Sequence, residues 1–182
     1  MKLVIGLTGS NAAGKGEAAR FFHQLGFSVY SLSDIVREEA AARGLTAERE
    51  HLIKVGNLLR LESGAGVLAQ RLLPRLPDRA AVDSIRNPAE VEVLRSLPWF
   101  VLLGIQAPVA MRFERMLQRA RPGDPKTLAE YERREQQENS ADPTAQQLTK
   151  TFSMADRIVE NDGNLEDLHR KLRSIAETTS EE

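Results

Sequence analysis

Leu3-Val4-Ile5-Gly6-Leu7-Thr8-Gly9-Ser10-Asn11-Ala12-Ala13-Gly14-Lys15-Gly16-Glu17 runs from a short apolar segment through a glycine-bounded loop to a lysine. Residues 3–7 have the unbroken apolar character of a strand buried on both faces. From Glu17 to Leu25 the apolar residues Ala18, Phe21, Phe22 and Leu25 recur at helical spacing. Strand, loop and helix therefore follow in the order that a phosphate cradle requires. Gly9, Gly14 and Lys15 satisfy the spacing GxxxxGK. The glycines let backbone N–H groups converge on phosphate oxygens, and the lysine neutralises the β and γ oxygens. The helix beginning near Lys15 adds the positive end of its dipole. Main-chain groups of Asn11, Ala12, Ala13, Gly14, Lys15, Gly16 and Glu17 are the expected nucleotide contacts.

Working outward, short apolar runs alternate with longer amphipathic segments, the pattern of a parallel sheet covered by helices. Strands are expected at Leu3–Leu7, Phe27–Ser31, Ala80–Asp83, Phe100–Ile105 and Arg157–Glu160. Helices are expected at 15–25, 34–43, 46–62, 65–76, 88–97, 108–120, 127–138 and 164–177, with a disordered tail at Thr178–Glu182. Residues 32–78 form a helical insertion between two strands. Residues 119–130, centred on Arg121-Pro122-Gly123-Asp124-Pro125-Lys126, read as a short, flexible lid.

At 182 residues the chain suits a single domain. A net charge of −1 supplies no global basic field, so a nucleic-acid partner is not expected. The absence of cysteine excludes disulfide and thiolate chemistry. With no signal peptide and no long apolar run, a cytoplasmic protein without a membrane partner is expected.

Two acidic and basic pairs follow strands. Ser33-Asp34-Ile35-Val36-Arg37 opens a helix at the carboxyl end of the second strand, where ligands collect in open α/β sheets. The same residues also suit an exposed i, i+3 ion pair behind a capping Ser33. Asp83-Ser84-Ile85-Arg86 ends the third strand with an acid able to orient water on magnesium and an arginine whose planar fork suits phosphate. Glu17 admits two readings, a water-mediated metal contact or a first-turn acid favoured by the helix dipole. Arg112, Arg115 and Arg119 share one helical face leading to the lid, while Arg133 and Arg134 lie beyond its tip. His23, His51 and His169 are scattered and receive no metal or proton role; Trp99 and Phe100 are expected in the core.

Gly14-Lys15-Gly16 resembles the loop of nucleoside monophosphate kinases, which have Gly-Lys-Gly-Thr; here Glu17 replaces the threonine. Asp34 and Arg37 match that family's Gly-Asp-x-x-Arg segment, with Leu32 and Ser33 replacing threonine and glycine. The turn at Asp83 is similar to the Asp-Gly-x-Pro-Arg turn of adenylate kinases. Arg115-x-x-x-Arg119 resembles the arginine pair where the adenylate kinase lid begins. Ala155–Leu168 is similar to the last strand and turn of dephospho-coenzyme A kinases. The combination Gly-Lys-Gly-Glu, Asp-x-x-Arg-x-Glu-Ala, Asp-x-Ile-Arg-x-x-x-Glu-Val and Ala-Asp-x-x-x-x-Asn-Asp-Gly resembles a mainly archaeal group of small nucleotide kinases.

These resemblances imply a P-loop α/β fold with a five-stranded parallel sheet. They imply ATP and Mg²⁺, with an ATP-dependent transfer to a nucleoside or deoxynucleoside monophosphate. Lys15, Asp34 and Arg119 take catalytic roles, and Arg115, Asn161 and Gly163 face the adenine. Asp34, Arg37, Asp83 and Arg86 bind the acceptor; Asp83 and Glu17 hold the metal through water. A dephospho-coenzyme A kinase, or a nucleotide-binding switch without turnover, remains compatible with the same residues.

Overall fold

A computed structural model describes residues 2–178. Five strands form one parallel sheet: β1 (Leu3–Thr8), β2 (Ser28–Ser31), β3 (Arg79–Asp83), β4 (Phe100–Gln106) and β5 (Arg157–Glu160), in the spatial order β2-β3-β1-β4-β5. All six residues of β1 are buried at the centre, which explains its continuous apolar character. Alternation along β1 feeds two cores. Val4 faces a cluster with Val82 and Leu102, while Leu3, Ile5 and Leu7 face one with Phe21 and Phe22.

Nine α-helices are described: α1 (Lys15–Gln24), α2 (Leu32–Ala42), α3 (Arg49–Ser63), α4 (Val67–Leu72), α5 (Pro88–Leu94), α6 (Val109–Arg119), α7 (Leu128–Glu138), α8 (Leu148–Phe152) and α9 (Leu165–Thr178). The first core is covered by α2 to α5, and the second by α1 and α9. The site elements α6 and α7 stand beyond the carboxyl end of β4, packed on each other.

Several boundaries differ from the sequence expectation. Phe27 precedes β2 and is buried beside Phe22, with ring centroids 5.4 Å apart. The helix expected at 46–62 begins at Arg49. The one expected at 65–76 divides into α4 and a 3₁₀ turn, Leu73–Arg75, because Pro74 lacks the N–H that continues an α-helix. Five-residue α8 was not anticipated. Most of the expected disordered tail, Thr179–Glu182, lies outside the described residues; Thr178 closes α9.

Candidate active site

The crossover from β1 to α1 builds the cradle. Gly9 has φ +134, and a Cβ there would sit 2.1 Å from the Ile105 carbonyl oxygen, so close approach of β4 excludes any side chain. Gly14 has φ +115, and its hypothetical Cβ would meet Asn161 Nδ2 at 2.2 Å. That amide instead donates to the Ala13 carbonyl at 2.7 Å, tying the loop to the turn after β5. Gly16 has open space around it, so its missing side chain leaves no packing defect.

Lys15 folds back into the loop. Its ammonium donates to the Gly9 and Ser10 carbonyls at 2.7 and 2.8 Å. Desolvation of the ammonium lowers its pKa to about 8, against an opposing attraction to Asp83; Arg86 and Arg112 lower it further and Glu135 raises it. Asp83, Arg86, Arg112 and Glu135 are thus the charges gathered around the cradle lysine.

From α6, three arginines reach the loop region by separate routes. Arg112 donates to the Ala107 carbonyl at 3.0 Å, to the Tyr131 hydroxyl at 3.0 Å and to Glu135. Arg115 donates to the Asn161 carbonyl at 3.0 Å, while its Nη1 is buried without a partner. Arg119 reaches Asn11 Oδ1 at 3.3 Å and both oxygens of Asp124 at 3.3 Å. The shared helical face read from spacing is therefore engaged with α7, the turn after β5 and the loop in succession.

Tyr131 and Glu135, one turn apart on α7, escaped the sequence reading. The Tyr131 hydroxyl donates to the Asn11 carbonyl at 2.6 Å, and burial raises its pKa to about 12. An aromatic and an acid at i, i+4 on a charged helix were the available signal. Their partner Asn11 is distant in sequence, so pattern alone could not pair them.

The four residues expected on the acceptor side divide. Asp83 Oδ1 accepts the Ser84 N–H at 2.6 Å, and Ser84 has φ +66 in the turn that carries the chain to Arg86. Arg86 donates to Gln146 Oε1 at 3.2 Å. Asp34 and Arg37 instead form an exposed pair at 2.6 Å in the first turns of α2. Glu17 is paired with Arg20 on its own helix and lies 3.0 Å from His169 Nε2 of α9. These partners hold its carboxyl below the usual range despite burial that opposes the shift. His169 also stacks on Phe21 at 4.4 Å, so a histidine that sequence left without a role joins α1 to α9. Among the described residues, no three His, Asp or Glu side chains cluster to hold a metal. Gly163 lies in the turn before α9, as anticipated. At the tip of the expected lid, Arg119 pairs with Asp124 and Arg134 donates to the Gly123 carbonyl at 2.8 Å. No described helix is long and apolar enough to cross a membrane.

The strand order and the lysine-bearing cradle between β1 and α1 define a P-loop kinase fold. Shikimate kinase from Aquifex aeolicus shares this fold with a TM-score of 0.60 at 17% identity, over 98% of each chain. Residues 8–132 match the family described as an AAA domain. A UPF0200 protein of Pyrococcus abyssi is 34% identical over 182 residues, spanning 95% of each chain. A UPF0200/UPF0201 protein of Archaeoglobus fulgidus is 37% identical over 180 residues, covering 94% of this chain and 54% of that one. The chain thus spans about half the length of that relative. It belongs to the AAA-domain family and to the UPF0200 proteins.

Proposed function

We propose that the protein transfers the γ-phosphoryl group of ATP to a small phosphorylated acceptor, a nucleoside or deoxynucleoside monophosphate. The observation that carries this reading is that the turn bearing Asp83 and Arg86 is pinned to the end of β1 where the cradle begins, Thr8 Oγ1 donating to the Ile85 carbonyl at 3.0 Å, with both charges acting on Lys15. A second cation beside the cradle lysine suits an acceptor that is itself an anion.

In the proposed reaction, Lys15 leaves the Gly9 and Ser10 carbonyls and moves to the β and γ oxygens of ATP, held by the loop amides. Arg86 grips the acceptor phosphate. Arg37, half-exposed against Asp34, is the second grip. An acceptor phosphate oxygen attacks the γ-phosphorus in line, the bond to the β–γ bridging oxygen breaks, and ADP leaves with that electron pair. The acceptor is already anionic, so no side chain must remove a proton from it. Arg119, already over Asn11, neutralises charge on the transferring group. Arg115 and the turn Asn161–Gly163 face the adenine.

Mg²⁺ is bound by hard oxygen donors and keeps several waters. Asp83 at the end of β3 fits that chemistry, and Gly16 supplies no competing side chain. When bound, the metal neutralises charge on the β and γ phosphates. Glu17, engaged by Arg20 and His169, is left as a link between α1 and α9.

The test is ADP release by the full chain with Mg·ATP across a panel of nucleoside and deoxynucleoside monophosphates, with dephospho-coenzyme A beside them. Stimulation by one monophosphate is the expected result. Stimulation by dephospho-coenzyme A alone reassigns the acceptor. Tight nucleotide binding with no acceptor-stimulated release overturns the kinase reading in favour of a switch.

A further inference from the structure

A wholly buried carboxylate that the proposed reaction does not use lies directly behind Arg86. Glu90 is 0% exposed on α5. Its Oε2 accepts the backbone N–H groups of Arg86 and Asn87 at 2.9 and 3.1 Å. Its Oε1 accepts from Arg60 of α3 at 2.7 and 3.2 Å, and Arg60 is itself only 4% exposed. A capping box requires only the contact to Asn87, so the bond to Arg86 N–H and the ion pair to the insertion exceed helix capping.

On the other side, the segment between α7 and α8 straps the same turn. Asn87 Nδ2 donates to the Pro143 and Ala145 carbonyls at 2.7 and 2.8 Å, and Gln147 N–H donates to the Arg86 carbonyl at 2.8 Å. Gln146, 8% exposed, accepts from the Arg86 guanidinium at 3.2 Å. The N–H of Arg86 is therefore held by Glu90 one turn into α5, and its carbonyl and guanidinium by Gln147 and Gln146 of a segment sixty residues away. Fold maintenance accounts for the backbone contacts; the contact from Gln146 is made to the guanidinium itself.

We infer that Glu90 and Gln146 are positioning residues that fix Arg86 in its phosphate-gripping pose, with Arg60 linking that pose to the helical insertion. This rests on the proposed role of Arg86 as an acceptor grip. Held in advance, the guanidinium loses little freedom when an anion arrives, and binding is tighter by that difference. Loss of either residue acts through Arg86, so its effect vanishes when Arg86 is absent.

The experiment uses the full chain and inorganic phosphate as probe, titrated while saturating Mg·ADP fills the donor loop. Three variants are compared: Arg86→Ala, Gln146→Leu, and Glu90→Gln combined with Arg60→Met, which strands no buried charge. Arg86→Ala is expected to weaken phosphate roughly tenfold or more, and the other two roughly fivefold. Mg·ADP binding stays within about twofold in all three. Adding Gln146→Leu to Arg86→Ala costs no more than about a further twofold, because the two act as a unit. With the acceptor found by the ADP-release panel, the losses appear in KM more than in kcat. Fully additive losses, or unchanged phosphate binding in Gln146→Leu and the Glu90 pair while Arg86→Ala weakens it, overturn the positioning role alone. Phosphate binding unaffected by Arg86→Ala overturns the grip itself. If the Glu90 pair melts far below the parent, Gln146→Leu alone decides.

Discussion

Gly9→Ala places a Cβ 2.1 Å from the Ile105 carbonyl oxygen at φ +134, so β1 and β4 must separate where they pair. A backbone clash of this kind in a buried sheet costs on the order of 3 kcal/mol or more. Urea unfolding is expected to show that loss, and an unchanged midpoint contradicts the close approach. Lys15→Ala is expected to behave oppositely, leaving the melting temperature within a few degrees while lowering acceptor-dependent turnover by roughly 10²-fold or more. Turnover equal to the parent removes the lysine from the chemistry. Lys15 also sets a pH dependence. Its folded pKa of about 8 lies below its ordinary value of 10.5, so the free loop loses the positive charge as pH rises through 8. Phosphate oxygens restore that charge, so nucleotide binding takes up a proton between about pH 8 and 10 and weakens with rising pH. Stability moves the other way: the unfolded chain holds more protons in that window, and this group's contribution to stability increases with pH. Calorimetric binding heats that change with buffer ionisation enthalpy at pH 8.5 are the expected signature, and buffer-independent heats contradict it.

At the level of elements, the Arg60–Glu90 pair joins α3 to α5 through two side chains almost without solvent access. Arg60→Ala strands a buried carboxylate and is expected to cost about 3–5 kcal/mol by urea unfolding. A loss under about 1 kcal/mol shows that water reaches Glu90. Legibility in the sequence follows the same division between local and distant. The β1 strand, the cradle and α1 were readable because an apolar run, two glycines and a helical period are adjacent. Asp83 and Arg86 were readable because a buried strand ends beside them. Asp34 and Arg37 matched a family segment, yet locally they make the exposed i, i+3 pair that the residues also allowed. Tyr131, Glu135 and Gln146 were not readable as candidate site residues, since each meets a partner brought to it by topology; Glu90 stood in the Asp-x-Ile-Arg-x-x-x-Glu-Val segment, but its ion pair with distant Arg60 did not show there. Helix α8 escaped because five residues are too few to display a period, and the break after α4 was obscured because Pro74 sits inside an otherwise apolar run.

For the molecule as a whole, we propose that a nucleotide enters by release of α6 and α7 from the cradle, with the sheet undisturbed. The contacts that hold them are few: Tyr131 hydroxyl to the Asn11 carbonyl at 2.6 Å, Arg119 to Asn11 Oδ1 at 3.3 Å, and Arg115 to the Asn161 carbonyl at 3.0 Å. Five strands and the helices on their faces are instead held by two buried apolar cores. A lid comprising residues 119–130 and α7 is therefore expected to open at lower free energy than the sheet, because few bonds and little apolar area oppose it. Hydrogen exchange should report faster amide exchange across 119–138 than across β1, β3 and β4 in the free chain. A bisubstrate mimic joining ATP to the monophosphate found by the ADP-release panel should slow the lid amides about tenfold or more, as Arg119 gains a phosphate partner and Arg115 packs on the adenine. Tyr131→Phe removes one hydroxyl and keeps the buried ring, so it should speed lid exchange several-fold and leave the sheet amides unchanged. Equal protection of lid and sheet in the free chain, or lid protection indifferent to both the mimic and the Tyr131→Phe change, means that α6 and α7 form a fixed wall and that substrates reach the cradle by another route.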